Sequence, residues 1–458
     1  MTLSTPPTVS DTDRRAFETP SGTIVGRVDG DVVRVLGVPY AEADRFEEPR
    51  PVPRRAEPLL AFDRAPASPQ IPSALLTELI EGASAGMRDD EHCQRLSITI
   101  PTATVDDGDT TRASVPVMVW IHGGSYVTGA GDLDVYDPRA LVTEQDVIVV
   151  TVTYRLGVLG FLGDGDDVPA NLGLLDQLAA VRWVHENIAA FGGDPDRITL
   201  FGQSAGGDAI AHLMISEGAE GLFRRAIVQS APFGLTAGRS RMNAAMSKAV
   251  GSPERTAPIA DVLRKQAVAE RAARRFGLRG GMAFGTQYGH APLPDERDRD
   301  AAWSRVAPSI DVMIGSTTHE TGLFAAFVPA LARLFALPVV GRHLRELIVG
   351  RTTRLLYTDG ARRFARRHRA AGGRATVFEF TWAPRDTVFG AAHVTDVPLL
   401  LGTREAWEHT KLVGSSAWSD IDRRGRRVRQ IWAEFARTGR VPADAAAGMR
   451  DTLVLHRG

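Results

Sequence analysis

Ile198-Thr199-Leu200-Phe201-Gly202-Gln203-Ser204-Ala205-Gly206-Gly207-Asp208-Ala209-Ile210 decides how this 458-residue chain is read. The first four residues form a β-prone apolar run, and the residues from Ala205 onward suit a helix. Between them stands G-x-S-x-G, which in that setting turns sharply enough to lift a serine hydroxyl above a sheet edge. Only small neighbours tolerate the strained backbone of such a turn. The helix that follows aims its first amides at negative charge forming beside the serine. This is the geometry of a nucleophile for acyl transfer. The five-letter pattern by itself would arise about 0.2 times by chance in a chain this long, so its setting carries the weight.

Outward from this stretch the chain alternates strands and helices. Val117 to Ile121 and Val147 to Tyr154 are continuous apolar strands, Asn171 to Phe191 has helical spacing, and Ala226 to Val228 is a short strand. Ile310 to Ile314 and Thr376 to Trp382 add two more, and Arg423 to Thr438 reads as a C-terminal helix. Strands buried on both faces and alternating with helices predict a parallel sheet between helical layers. Near the start, Gly22 to Val28 and Val32 to Val38 flank Asp29-Gly30-Asp31, a hairpin signal. Residues 41–92 read as loop with short helices, and residues 235–305 and 325–371 as helical insertions, the second one basic. Residues 1–18 are expected to be a mobile segment before one domain, 19–458.

Composition narrows the function. The chain is 43% hydrophobic and has 54 Lys+Arg against 55 Asp+Glu, a formal net charge of -1. That balance predicts neither a nucleic-acid nor a membrane partner, and leaves the oligomeric state open. The run Arg423-Arg424-Gly425-Arg426-Arg427 reads as a solvated helix face. Cys93 is the single cysteine, so neither an intrachain disulfide nor a multi-cysteine metal site can form. Met1 to Pro7 lacks the charged and apolar regions of a secretory signal, and no stretch approaches the apolar length of a membrane span; a cytoplasmic location is expected.

A serine hydroxyl needs a base, and the base needs a carboxylate to fix its tautomer. In elbow hydrolases the chain order is nucleophile, acid, histidine. Of the histidines after Ser204, only His393 sits in a small-residue loop, Gly390-Ala391-Ala392-His393, beyond a convincing strand. His343 and His368 lie among arginines on predicted helices, and His319 comes before the acid candidate. That acid is Glu320, just past the strand at 310–314. The turn His122-Gly123-Gly124-Ser125-Tyr126, at the end of another strand, offers backbone amides to a developing oxyanion, together with the amide of the residue after the nucleophile. Gly157 to Gly163 lacks the spacing of a dinucleotide-binding turn.

The chain resembles the type-B carboxylesterases, the group of cholinesterases and bacterial p-nitrobenzyl esterases. The resemblance rests on Asn171-Leu172-Gly173-Leu174-Leu175-Asp176-Gln177, Trp183-Val184, Asn187-Ile188, Phe191-Gly192-Gly193-Asp194-Pro195 and the Gly202 to Gly206 elbow. Tyr154-Arg155-Leu156-Gly157, Gly160-Phe161, Gly37-Val38-Pro39-Tyr40-Ala41 and Trp432-Ala433-Glu434-Phe435-Ala436 add to it. It spans about residues 19–440, and it implies an α/β-hydrolase fold with a mostly parallel central sheet, helices on both faces and helical insertions over the site. By motif position, Ser204 resembles the nucleophile, Glu320 the triad acid, His393 the base, and Gly124, Ser125 and Ala205 the oxyanion-hole amides. The implied activity is hydrolysis of small carboxylic esters through an acyl-enzyme, with no metal or organic cofactor. Amide, carbamate or lactone hydrolysis, and non-catalytic binding on the same fold, are the competing readings. The chain departs from the family at Ser125, where glycine is usual, at Val394, where a small residue is common, and at Thr321, which separates Glu320 from the expected glycine. Cys93, in Glu91-His92-Cys93, resembles a family disulfide cysteine whose partner is absent, and the insertions look shorter than usual.

Overall fold

The computed structural model of the chain describes residues 13–80, 87–105, 114–163, 167–252, 255–442 and 444–456. Its strands run in chain order from an N-terminal meander, β1 (Arg14–Thr19), β2 (Gly22–Asp29) and β3 (Val32–Pro39). The expected hairpin closes with Asp29 opposite Val32 and Gly30 at φ 64°. A small ribbon pairs β4 (Ala41–Glu42) with β5 (Arg50–Pro51), and β6 (Leu59–Leu60) lies beside β2. Then come β7 (Arg95–Pro101), β8 (Val115–Ile121), β9 (Ile148–Thr153), β10 (Gly193–Gln203), β11 (Arg225–Gln229), β12 (Asp311–Thr317), β13 (Ala375–Phe380) and β14 (Leu453–His456).

The large sheet has the order β1-β2-β3-β7-β9-β8-β10-β11-β12-β13-β14. Its centre, β9-β8-β10-β11-β12-β13, is parallel throughout. The flanks are antiparallel: β1 to β3, β7 and its pairing with β9 on one side, β14 on the other. Residues 14–18 correct one expectation. They are not a mobile segment but the edge of the sheet, paired with β2 from Arg14 opposite Arg27 to Thr19 opposite Gly22, with Phe17 buried. Residues 1–12 lie outside the described ones.

The period-two alternation of the strands feeds two cores, one on each face. Val117, Val119 and Ile121 of β8, with Ile198 and Leu200 of β10, pack under helix Leu172–Asn187 and the helix after the elbow. Met118 and Trp120, with Phe201, Ile227 and Met313, face the other way, onto Val428, Ile431, Trp432 and Phe435 of helix Trp418–Thr438. Burial of Trp432 is completed by its indole N–H donating to Gln229 Oε1 at 3.2 Å. From β8 the chain crosses to β9 on one side, then returns to β10 on the other. That reversal opens a crevice beyond the carboxyl ends of β8 and β10, where ligands of open α/β sheets bind.

The two insertions are helical. The first contains helices Ser240–Val250, Ile259–Ala273 and Arg299–Val306, and the second Pro329–Phe335, Val340–Thr353 and Asp359–Ala370. Among the described residues, no helix is long and apolar enough to cross a membrane.

Candidate active site

β10 delivers Ser204 with φ 59° and ψ −125°, a left-handed backbone that an ordinary residue adopts only when its surroundings impose it. The Ser204 N–H donates to Gln229 O at 2.9 Å, and its carbonyl accepts the first helical bond from Asp208 at 2.9 Å. A Cβ on Gly202 or Gly206 would stand 2.5 or 2.0 Å from Ile121 O, so the elbow requires glycine there in order to pass beside β8.

The turn after β8 is equally constrained. Gly124 has φ +112°, and a Cβ there would meet Thr128 O at 2.0 Å. Ser125 and Tyr126 follow in left-handed conformations, φ 55° and 61°. Among the described residues the amides of Gly124, Ser125 and Ala205 donate to no protein acceptor. Tyr126 reaches across to the helix after Ser204, its hydroxyl donating to Asp208 Oδ2 at 2.7 Å. Beside it the His122 ring stacks on Tyr154 at 4.4 Å, and burial pulls its pKa down to about 4, so it is neutral at pH 7.

Glu320 is fully buried in the loop after β12, its Oε1 accepting the Thr317 N–H at 2.7 Å. Its Oε2 accepts a short hydrogen bond from His393 Nδ1. Thr321, the residue that displaces the expected glycine, tethers this loop to helix Val340–Thr353: its hydroxyl lies 2.6 Å from Thr352 Oγ1 and 3.2 Å from Val349 O. The glycine follows at 322, where a Cβ would lie 2.5 Å from Phe389 O. Val394, next to His393, takes φ 76°, a rare conformation for a β-branched side chain.

Ser204 and His393 line one cavity of about 470 Å³ with Gly124 and Ser125, and its walls include the apolar Leu79, Ile80, Phe324 and Trp407. No hydrogen bond joins Ser204 Oγ to His393 among the described residues. Besides Glu320, the polar group beside the ring is Gln203, whose Nε2 lies 3.4 Å from Nδ1 and 3.2 Å from Nε2 of His393. Such nearly equal distances put the amide over the ring face rather than in its plane. A second cavity of about 500 Å³ is lined by Arg239, Asn243 and Lys265 and contains none of these groups.

Sequence reasoning passed over Gln203, Tyr126 and Asp396. Asp396 is fully buried three residues beyond His393, accepting from Gln229 Nε2 at 2.6 Å, with Oδ1 unpartnered among the described residues. Burial first, then the charge of Glu320, raises its pKa to about 6. Only its place in the loop of His393 could have marked it.

Residues 13–334 match the Carboxylesterase family. The chain is 36% identical over 434 residues to the probable N-octanoylanthranilate hydrolase AqdA2 of Rhodococcus erythropolis, covering 92% of each. It is 31% identical over 480 residues to the para-nitrobenzyl esterase of Bacillus subtilis, strain 168, covering 95% of this chain and 93% of that one. The solved structure of a thermophilic PNB esterase superposes with a TM-score of 0.77 at 31% identity, over 93% of this chain and 91% of its own. The chain therefore belongs to the carboxylesterase family, has the α/β-hydrolase fold and is a carboxylic ester hydrolase.

Proposed function

We propose that the ester is cleaved through a Ser204–His393–Glu320 triad and an acyl-enzyme. The observation that carries this reading is the buried Glu320–His393 pair facing one cavity with an elbow serine and unengaged amides. With its Nδ1–H donated to Glu320, His393 keeps the Nε2 lone pair free to take the Ser204 proton as Oγ attacks the carbonyl carbon. The tetrahedral oxyanion is held by the Gly124, Ser125 and Ala205 amides, whose geometry is fixed before substrate arrives. His393 then returns the proton to the leaving alcohol oxygen. Water attacks the acyl-enzyme with His393 again as base, releasing the acid and restoring Ser204. The serine reaches the base by rotation about χ1, since apo hydrogen bonds of this kind tighten on substrate binding. Activity on p-nitrophenyl esters from acetate to long chains, lost together with fluorophosphonate labelling in Ser204→Ala, tests the assignment. Near-wild-type turnover in that variant would overturn it.

A second reading keeps the triad and moves the substrate to N-acyl arylamides. It draws on the 36% identical relative named for N-octanoylanthranilate and on the apolar cavity walls. A higher kcat/KM for an octanoyl anilide than for p-nitrophenyl octanoate would select it. The cytoplasm is the proposed compartment, consistent with a sole thiol, Cys93, that is buried and free.

A further inference from the structure

The whole-chain charge of -1 conceals a strong segregation. Residues 325–371 hold ten arginines against Glu346 and Asp359, a local charge of +8. Three of them, Arg345, Arg362 and Arg367, are in ion pairs. The others have no carboxylate within 4.0 Å among the described residues. Apolar surface collects in the same place. Of the twelve large apolar side chains that stand exposed among the described residues, eight lie between Phe324 and Leu355.

The two features interleave. Val340, Leu347, Arg351 and Arg354 share one exposed stripe at near-helical spacing. The connection between helices Pro329–Phe335 and Val340–Thr353 is the apolar tip Leu337-Pro338-Val339-Val340, where Val339 is 84% exposed with φ 62°. Phe324 lines the catalytic cavity and is itself partly open to solvent, so the surface begins at the cavity. The Thr321 hydroxyl ties the helix that bears the stripe to the loop of Glu320.

We propose that the helices of residues 325–371 form a docking surface for an anionic lipid bilayer, holding the entrance of the catalytic cavity at the membrane surface. Charge complementarity selects this occupant. A second copy of the chain would oppose one basic surface to another. A bilayer accepts both halves of the pattern, with arginines at the headgroup phosphates and a valine tip between the headgroups. The attachment is peripheral, since no described helix can span. It delivers amphiphilic esters or amides from the membrane plane to a cavity with apolar walls.

The test is sedimentation of the full chain with vesicles of equimolar phosphatidylglycerol and phosphatidylcholine, against vesicles of phosphatidylcholine alone. Retention on the anionic vesicles that weakens with salt is expected. Each arginine near the surface is worth about fivefold, so Arg333→Gln/Arg351→Gln/Arg354→Gln should weaken partitioning on the order of a hundredfold. Val339→Asp should weaken it about tenfold. Hydrolysis of soluble p-nitrophenyl acetate should not change in either variant, which shows that both fold. Binding is also read on Ser204→Ala protein, so docking fails or stands independently of the proposed nucleophile. No retention at low salt, equal retention on neutral vesicles, or retention indifferent to the arginine substitutions overturns the proposal. So does equal capture by polyglutamate without dependence on Val339, which would mark an acidic polypeptide as the occupant, or a dimer that buries Val339.

Discussion

At Gly123, Gly124, Gly202 and Gly206, in the turns around β8 and β10, an added Cβ would meet a backbone oxygen at 2.6 Å or less. At Gly350, within helix Val340–Thr353, it would meet nothing within 4 Å. One residue type thus serves two regions under opposite constraints. At the sheet's carboxyl edge, close approach of backbones dictates each position, and the polar groups are held by short bonds to buried partners. In the 325–371 helices, little packs against the outer face, and charge rather than shape distinguishes it.

The largest effect that could break this contrast is at the nucleophile. Ser204→Ala should lower kcat about a millionfold with an unchanged melting temperature. If p-nitrophenyl butyrate is still turned over at the wild-type rate, the constrained region is not where the chemistry happens. Gly124→Ala should lower kcat about a hundred- to a thousandfold, because the turn must move and misplace an oxyanion donor. Steady-state kinetics at an intact circular dichroism spectrum would measure this, and a normal kcat would show that the turn is softer than its contacts imply.

Asp396 sharpens the comparison through pH. Its folded pKa of about 6 exceeds the ordinary 3.8, so the folded chain binds more protons than the unfolded one between those values. Stability is therefore lost as pH rises from about 4 to about 6 and stays lost above. Asp396→Asn, which can still accept from Gln229, should match wild type near pH 4 and exceed it by about 3 kcal/mol at pH 8. Urea denaturation at both pH values checks this, and an equal difference at the two would remove the buried charge from the account. The smallest effect belongs to the other region. Gly350→Ala should raise stability by about 0.5–1 kcal/mol and leave activity alone; a loss measured by thermal melting would mean that this helix face is packed after all.

The same division explains what could be read in advance. Continuous apolar runs announced β8, β9 and β10, and glycine spacing announced the elbow, because those features are local. β1 was missed because Arg14-Arg15-Ala16-Phe17-Glu18-Thr19 carries only Phe17 and Thr19 inward, too little pattern for an edge strand. β7, Arg95–Pro101, was not singled out either, although its central pairing with β9 buries it. Ser204, Glu320 and His393, the proposed triad, could be singled out through chain order and family motifs. Gln203 over the His393 ring, Tyr126 on Asp208 and the Thr321 tether could not, since each depends on residues far apart in sequence. The basic character of residues 325–371 was legible as composition, but the exposed apolar side chains interleaved with it were not, since exposure depends on what the fold leaves uncovered.

The strand order has a consequence for the making of the protein. From β10 outward the neighbours are β11, β12 and β13, so each parallel strand synthesised after the elbow extends the same growing edge. The elbow serine is made first, the acid some hundred residues later, and the histidine only after β13. On the proposed triad, a nascent chain still short of His393 can shape its serine turn yet lacks the base. On that proposal, translation withholds esterase chemistry from the ribosome-bound chain until the sheet is nearly complete.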